Sequence, residues 1–223
     1  MRYIKFGTFT GRENMQIDSD LLDEAINTQT KEPIFRLYAW SPKCISLGRN
    51  QECTNVLEKN RENGINIDIV RRITGGRALL HDDEITYCYV IPTSIIPNGD
   101  SVRESYKYIS GILIKFFNTL GINLTFGDSK KVSTKFDYCM LISTGADLCY
   151  NGRKIIGSAQ YRKNGYILQH GSILFDYNKR LLEALFNEEV SSEHLATVKE
   201  ILPDMTKEKF VEAFEEFLTR EML

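Results

Sequence analysis

The stretch Asn151–Asp176 reads NGRKIIGSAQYRKNGYILQHGSILFD and carries the strongest fold signals of the chain. The dipeptides Asn151-Gly152 and Asn164-Gly165 are typical of hairpin turns, because both residue types accept the positive φ angles that such turns need. The residues between and after these turns predict strands over 153–160 and 165–175. Two hairpins in close succession indicate a sheet with antiparallel pairing.

The rest of the chain alternates between further strands and amphipathic helices. Strands are predicted over 34–40, 44–48, 66–72, 84–92, 122–126 and 146–150, and helices over 14–28, 54–63, 101–120, 179–186 and 206–221. The helix over 101–120 has the clearest ends, because Ser101 and Glu104 fit a capping box and Gly121 stops it. Helices mixed with hairpin-connected strands predict an α+β fold with a mixed or antiparallel sheet.

Length, charge and hydropathy narrow the class of protein. The 223 residues contain no repeat and no linker-like segment, which predicts a single domain over 1–223. A net charge of −2 argues against a nucleic-acid protein built on a basic face. Since no run of 18 apolar residues occurs, no membrane-spanning helix is expected. The N-terminal sequence MRYIKFGTFTGREN lacks an apolar signal core, so a cytoplasmic location is expected.

The five cysteines and three histidines do not form a recognisable metal or disulfide pattern. An odd number of cysteines in a chain expected to be cytoplasmic argues against a disulfide framework. No CxxC, HxxxH or HExxH spacing occurs, so no zinc site is expected. The phosphate-loop and GxGxxG motifs are absent as well. We therefore expect neither a metal ion nor a bound cofactor.

A first candidate site lies around the paired glycines in RRITGGRALLHD, residues Arg71–Asp82. Gly75 and Gly76 permit positive φ and close approach of a ligand to the main chain. Arg72 and Arg77 flank them and suit a phosphate or another polar ligand group. The alternative interpretation is an ordinary tight turn with solvated arginines.

A second candidate site is Lys154, which Ile155 and Ile156 follow directly. These apolar neighbours indicate that the ammonium group points into a cleft. Because burial of an unpaired ammonium is costly, buried lysines usually have a functional role or a charged partner. The alternative is an exposed lysine beside a hairpin turn.

These two stretches, in this order and spacing, resemble the cofactor-transferase family of lipoate-protein ligases, biotin-protein ligases and octanoyltransferases. Asn14-Met15 with Asp18, and Trp40 followed by Ile45–Gln51, match the early motifs of the same family. The resemblance covers about residues 12–176 and implies a biotin/lipoyl ligase-like single domain, with a central mixed sheet flanked by helices. It also implies an acyl-binding cleft between the glycine turn and the lysine strand. The substrate-binding residues that it implies are Arg72, Gly75, Gly76, Arg77, His81, Gly157, Ser158, Ala159, His170 and Gly171.

Within the family, the cysteine-dependent octanoyltransferases resemble the chain best. Their nucleophile lies thirteen residues before the glycine of the GRK motif, which gives Cys139 here, and their activating lysine lies fifteen residues later, at Lys154. Asp147 stands where the family often has an acidic residue. Cys149 is the second choice of nucleophile. Two alternatives remain open: an ATP-dependent ligase, although such enzymes usually have a third glycine at the position of Arg77, and a catalytically silent binding subunit.

The resemblance implies a two-step transfer of an octanoyl group. Cys139 takes the group from acyl carrier protein, and the acyl-enzyme passes it to a lysine of a lipoyl domain of a 2-oxoacid dehydrogenase or of the glycine cleavage H protein. The acyl chain needs an apolar slot, for which the candidates are Ile73, Ala78, Leu79, Ile155 and Ile156; the alternative is that they are ordinary core residues. Acidic carriers need a basic rim, for which the candidates are Arg71, Arg72, Arg153, Arg162 and Lys163; the alternative is a scatter of solvated surface charge.

Overall fold

The computed structural model of the chain describes residues 1–52, 64–65, 67–127, 138–141 and 144–221. Its strands are β1 (Arg2–Phe9), β2 (Ile34–Trp40), β3 (Cys44–Leu47), β4 (Asp68–Arg71), β5 (Leu79–His81), β6 (Glu84–Pro92), β7 (Thr125–Phe126), β8 (Leu148–Tyr150), β9 (Arg153–Lys163) and β10 (Tyr166–Leu174). Its α-helices are α1 (Gly11–Thr28), α2 (Val102–Thr119), α3 (Lys179–Phe186), α4 (Val198–Ile201) and α5 (Lys207–Glu221). The predicted helix over 54–63 lies outside the described residues.

Seven strands form the main sheet, in the order β1-β2-β6-β10-β9-β8-β7. The β1–β2 pair is parallel and the remaining pairs are antiparallel, so the sheet is mixed, as predicted. Both predicted hairpins are present. Asn151 and Gly152 have φ angles of 49° and 77°, and Asn164 and Gly165 have 49° and 80°, which is the left-handed geometry that the Asn-Gly dipeptides predict.

Helices cover both faces of the main sheet. On one face, the aromatic side chains of α2 and α5 pack against Phe35, Tyr87 and Tyr89 in the largest apolar cluster. On the other face, α1 packs against the alternate residues of β2, β6 and β10. Strand β6 is therefore buried along its whole length, which explains why its sequence lacks a polar face. Within the described ranges, no helix combines the length and apolarity needed to span a bilayer.

A second, three-stranded sheet has the order β4-β3-β5. Strand β3 pairs with β4 in parallel and with β5 in antiparallel orientation. This sheet carries the paired-glycine turn, because Gly75 and Gly76 lie between β4 and β5. The fold prediction did not include this separate sheet, nor strands β1 and β5.

Two main-chain segments touch where the glycine turn meets the end of β3. A Cβ atom placed on Gly48 would lie 1.9 Å from the carbonyl oxygen of Gly76, whereas one placed on Gly75 would have no atom within 4 Å. The turn thus lies against β3 through contact between Gly48 and Gly76, and a side chain on Gly48 has no room there.

We expect Gly48→Ala to lower the free energy of unfolding by about 1–3 kcal/mol, because the added methyl group must push the turn away from β3. Thermal or urea unfolding measures this effect. The matched control, Gly75→Ala, introduces the same methyl group in the facing turn, where it meets no atom within 4 Å, and should change stability much less. Equal effects of the two substitutions would contradict the close-contact explanation.

Candidate active site

Two adjoining cavities lie beside the glycine turn. The inner cavity has about 500 Å³ of empty volume, part of it open to solvent, and a mainly apolar wall. The outer cavity has about 840 Å³, also partly open to solvent, and contains three charged residues, Arg77, Asp147 and Lys154. Four residues line both cavities: Gly76, Cys139, Ser158 and Ala159. These shared residues mark the junction between the two spaces.

Small side chains on the main sheet make room for the inner cavity. The strand register places Tyr38, Thr86, Ser172 and Gly157 in one row across β2, β6, β10 and β9, and all four line the cavity. The row spans three interstrand spacings, about 14 Å in all. Three of its four members are small, so the sheet leaves a furrow where larger side chains would fill the core.

Cys139 lies at the junction of the cavities and is half-buried. It begins a single 3-10 turn, Cys139–Leu141. Its main-chain N–H donates to the carbonyl oxygen of Ala78 at 2.9 Å, and its own carbonyl oxygen accepts from Lys154 Nζ at 3.1 Å. Both neighbouring elements therefore fix the main chain that carries this thiol.

Lys154 is almost completely buried, with 1% of its surface exposed, as its apolar neighbours predicted. Its Nζ atom lies 3.1 Å from Asp147 Oδ2 and lines the outer cavity. Segment 194–196 holds its main chain through the bonds Lys154 N to His194 O and Ala196 N to Lys154 O, both 2.9 Å. The ammonium is thus a fixed positive charge in the cavity that also contains Cys139.

His170 lies in the inner cavity, at the centre of a buried polar chain. Its Nδ1 atom is 3.0 Å from Asp18 Oδ2, and its Nε2 atom is 2.7 Å from Thr74 Oγ1. Asp18 also accepts hydrogen bonds from Arg36 at 2.8 Å and from the Tyr38 hydroxyl at 2.8 Å. Helix α1, strands β2 and β10 and the glycine turn are thereby joined behind the cavity wall.

His81 also lines the inner cavity and forms a second such chain. Its Nδ1 atom lies 2.5 Å from Glu84 Oε1, and its Nε2 atom lies 2.8 Å from Ser46 Oγ. The indole ring of Trp40 stacks on the imidazole, with 3.7 Å between ring centroids and 14° between planes. These contacts fix the orientation of His81 and of the Trp40 ring.

Arg72 lines the inner cavity, but its guanidinium group forms hydrogen bonds to the protein itself. It donates to the carbonyl oxygens of Ser46, Gly75 and Arg77 at 2.7–3.2 Å. Burial lowers the pKa of Arg72 from its ordinary value, since the charge has left water. These hydrogen bonds brace the glycine turn from inside.

All the residues predicted for the site line one of the two cavities. The outer cavity includes Gly75, Gly76, Arg77, Cys139, Lys154, Ser158 and Ala159, and the inner cavity adds Arg72, His81, Gly157, His170 and Gly171. The fold thus brings together segments that are up to about a hundred residues apart in the chain. The roles assigned to these residues stay predictions.

Most candidates for the slot lining are core residues instead, which is the alternative interpretation given above. Of the five candidates, only Leu79 lines the inner cavity. Ile155 and Ile156 are fully buried in the core beneath α2 and α5, whereas Ala78 lies in the smaller core around β3 and β5, and Ile73 packs beside α1. Proximity to Lys154 in the sequence therefore did not place these residues in the cavity.

Sequence reasoning missed several residues that line the cavities. They are Met15, Tyr38, Trp40, Ser46, Thr86, Met140 and Ser172 in the inner cavity, and Tyr106, Thr144, Ala146, Asp147 and Gln160 in the outer one. Trp40, Met15 and Asp147 belong to motifs quoted above for the family resemblance, without a role in the cavity. For Thr86 and Ser172, the available signal was a small polar residue inside an otherwise bulky strand.

The residues predicted for a basic docking rim are not, apart from Arg72, part of the cavity walls, and their role in docking stays a prediction. Arg71, Arg153, Arg162 and Lys163 line neither cavity. Arg153 pairs with Glu200 and Lys163 with Asp23, each at 2.7 Å, and Arg71 donates to the main chain of residues 48, 49 and 51. Their charges are engaged elsewhere on the surface, and Arg72 is buried.

The other described cysteines are poor candidates for a nucleophile. Cys44, Cys88 and Cys149 are each at most 2% exposed. Burial raises the pKa of Cys44 to about 12, so its thiol stays neutral and unreactive at physiological pH. Cys149, the second choice, lies on β8 and lines neither cavity. Cys53 lies outside the described residues.

Comparison with known proteins shows the family of the chain. A family model described as "Lipoyl protein ligase A/B catalytic domain" matches residues 10–219. The chain belongs to this family. The family resemblance inferred from the motifs is thereby confirmed.

Several curated relatives carry the name octanoyltransferase LipM. That of Clostridioides difficile (strain 630) is 38% identical over 192 residues, which cover 83% of this chain and 68% of the relative. That of Carboxydothermus hydrogenoformans is 34% identical over an alignment of 230 positions, which covers 96% of this chain and 85% of the relative. The octanoyltransferases of the lipoyl ligase family are therefore similar to this chain over most of its length.

Solved structures support the fold. A crystal structure of lipoate-protein ligase A bound with ATP has a TM-score of 0.73 at 22% identity and covers 98% of this chain and 83% of its own. A bi-partite lipoate protein ligase from Thermoplasma acidophilum has a TM-score of 0.68 at 18% identity, with the same coverage of both chains. The predicted α+β, lipoyl ligase-like architecture is confirmed.

Proposed function

We propose that this chain is an octanoyltransferase of lipoate biosynthesis, which moves an octanoyl group from acyl carrier protein to a protein lysine through a thioester on Cys139. The observation that carries the proposal is the position of Cys139 between two cavities. One is apolar and suits an acyl chain, and the other contains the buried ammonium of Lys154. The relatives named octanoyltransferase support the acyl group.

In the first step, the Cys139 thiolate attacks the carbonyl carbon of octanoyl acyl carrier protein. The new S–C bond replaces the old one, and the thiolate of the carrier leaves and takes up a proton from water. One thioester is exchanged for another, so the step needs no ATP. The Lys154 ammonium favours the thiolate of Cys139 and the negative charge that develops on the carbonyl oxygen.

In the second step, the neutral amine of an acceptor lysine attacks the thioester carbon of the acyl-enzyme. An amide C–N bond forms, the C–S bond breaks, Cys139 leaves as a thiolate, and the amine releases a proton to solvent. The acceptor lysine belongs to a lipoyl domain of a 2-oxoacid dehydrogenase or to the glycine cleavage H protein. Cys139 returns to its starting state for the next cycle.

The inner cavity is suited to hold the octanoyl chain. Its lining includes Met15, Tyr38, Leu79 and Met140, and its wall is mainly apolar. Burial of an alkyl chain contributes about 0.8 kcal/mol for each methylene group removed from water. The octanoyl chain therefore anchors the substrate while the carbonyl group of the substrate lies at the cavity junction, beside Cys139.

The test is incubation with octanoyl acyl carrier protein and an isolated lipoyl domain, with and without ATP, followed by intact-mass spectrometry. We expect octanoylation of the domain without ATP, and an octanoyl adduct on the enzyme when the acceptor is left out. Parallel reactions with H protein identify the preferred acceptor. Transfer only from free octanoate with ATP would make the chain a ligase, and binding of the lipoyl domain without turnover would make it a binding subunit.

A further inference from the structure

Asp147 is the carboxylate partner of Lys154, and its own position is tightly fixed. Its side chain is 4% exposed. Oδ2 accepts hydrogen bonds from the Thr144 N–H at 2.6 Å and the Thr144 hydroxyl at 2.9 Å, and it lies 3.1 Å from Lys154 Nζ. Oδ1 accepts a longer bond, 3.4 Å, from the Ser158 N–H. Each of these contacts brings a donor to the carboxylate, which suits its ionised form.

The Lys154 ammonium bridges Asp147 and the nucleophile turn. Besides the contact with Asp147, it donates to the carbonyl oxygen of Cys139 at 3.1 Å. A Cβ atom placed on Gly157 would lie 3.0 Å from Lys154 Cε and 3.3 Å from Nζ, so the lysine side chain packs directly on this glycine. The ammonium is therefore held from three directions, by a carboxylate, a carbonyl and the floor of the sheet.

Among the charged groups around Lys154, Asp147 is the one that stabilises its positive charge. Asp147 is the one carboxylate among the described residues that line the outer cavity. The other titratable groups in that lining are Arg77 from the glycine turn, Tyr106 from α2 and the Cys139 thiol. Burial raises the pKa of Tyr106 to about 12, so its hydroxyl is neutral at physiological pH. On the remaining side, segment 194–196 presents main-chain groups to Lys154.

We propose that Asp147 is a positioning residue that keeps Lys154 as an ammonium throughout the cycle, so that Lys154 acts as a fixed positive charge and not as the base that removes the Cys139 proton. This rests on the proposed function of Cys139 and Lys154. The thiol proton then goes to solvent before the attack. Removal of the carboxylate takes away the negative charge beside a buried cation, which favours loss of its proton.

The rate at which iodoacetamide alkylates Cys139, followed from pH 6 to 10 by peptide mass mapping, tests this proposal. Only the thiolate reacts, so the midpoint of the rate–pH curve reports the charge beside the sulfur. We expect Asp147→Asn to raise the midpoint by about one unit, which lowers the rate at neutral pH about tenfold. Asp147→Glu should restore most of the original curve.

The direction in which the midpoint shifts shows whether Lys154 keeps its charge when Asp147 is replaced. If Lys154 stayed charged without Asp147, loss of a nearby negative charge would lower the midpoint. An unchanged or lowered midpoint in Asp147→Asn therefore overturns the proposal. Asp23→Asn, which removes the exposed partner of Lys163, is the matched control and should leave the curve unchanged. An octanoyl adduct that forms equally well in Cys139→Ala would instead overturn the proposed function.

A double variant covers the case in which Asp147→Asn does not fold. Asp147→Asn combined with Lys154→Met contains neither buried charge, so no uncompensated ion remains in the core. Its midpoint should equal that of Asp147→Asn where both fold, and in any case lie above that of the wild type. A double variant with the wild-type midpoint would also overturn the proposal, because the pair would then have no influence on the thiol.

Discussion

Replacement of Cys139 by alanine is expected to abolish octanoyl transfer, with a fall in rate of at least about a thousandfold, as for other enzymes that lose a covalent nucleophile. The variant should also form no octanoyl adduct with the octanoyl carrier protein. The cavities remain, because the thiol is half-buried at their junction and its main chain is held by Ala78 and Lys154. Intact-mass spectrometry and a transfer assay measure the two effects.

Cys149→Ala is the matched control for this prediction. Cys149 lies ten residues away in the chain and is 2% exposed on β8, so its loss removes a packing group and leaves the adduct intact. An adduct that persists in Cys139→Ala and disappears in Cys149→Ala would exchange the roles of the two residues. Cys139→Ser tests the chemistry, because its hydroxyl is far less acidic than a thiol and should transfer very slowly.

We expect Asp18→Ala to destabilise the fold by about 3–5 kcal/mol, because it leaves the buried Arg36 guanidinium without its carboxylate. The two side chains are 1% and 2% exposed, and their shortest contact is 2.8 Å. The change also removes the partners of the Tyr38 hydroxyl and of His170. Urea unfolding monitored by circular dichroism measures the loss.

Asp23→Ala provides the comparison. Asp23 lies on the same helix as Asp18, and the substitution breaks its exposed ion pair with Lys163. Exposed pairs contribute at most about 1 kcal/mol, so its effect should be several times smaller. Equal effects of the two substitutions would mean that the Arg36 charge finds another partner or reaches water. Because His170 lines the inner cavity, Asp18→Asn should also weaken transfer while it preserves the shape of the side chain.

Local signals account for what the sequence predicted well. The Asn-Gly turns, the strands beside them and the Ser101 cap of α2 depend on residues close together in the chain, and each is present. Helix α1 begins at Gly11, three residues before the predicted start, because Thr10 and Glu13 form a complete capping box there. The Thr-x-x-Glu spacing is the sequence signal for this start.

Long-range pairing accounts for what was missed. Strand β3 meets β4 and β5 across more than twenty intervening residues, and no local pattern specifies which strands form a separate sheet. Strand β1 is an edge strand with a weak pattern of burial, which resembles an irregular N-terminal segment. The links from Asp18 to Arg36 and His170 likewise join residues that only the complete fold brings together.

The candidate site likewise has parts that the sequence motifs predict and parts that depend on long-range strand pairing. Spacing to the GRK motif placed Cys139 and Lys154 in one cavity, because the family resemblance already contains the tertiary arrangement. The acyl slot could not be derived in this way. It exists because Thr86, Ser172 and Gly157 are small on one face of the sheet, and which strand positions share that face depends on the register across β6, β10 and β9.

The location of Cys139 at the meeting point of two cavities has a kinetic consequence. In the proposed mechanism one sulfur serves both macromolecules, so the donor must depart before the acceptor can react. Such an enzyme follows a ping-pong scheme, in which double-reciprocal plots at different acceptor concentrations are parallel lines. Carrier protein without an acyl group is then expected to compete with the acceptor, so that its accumulation slows the enzyme as the donor pool is used up.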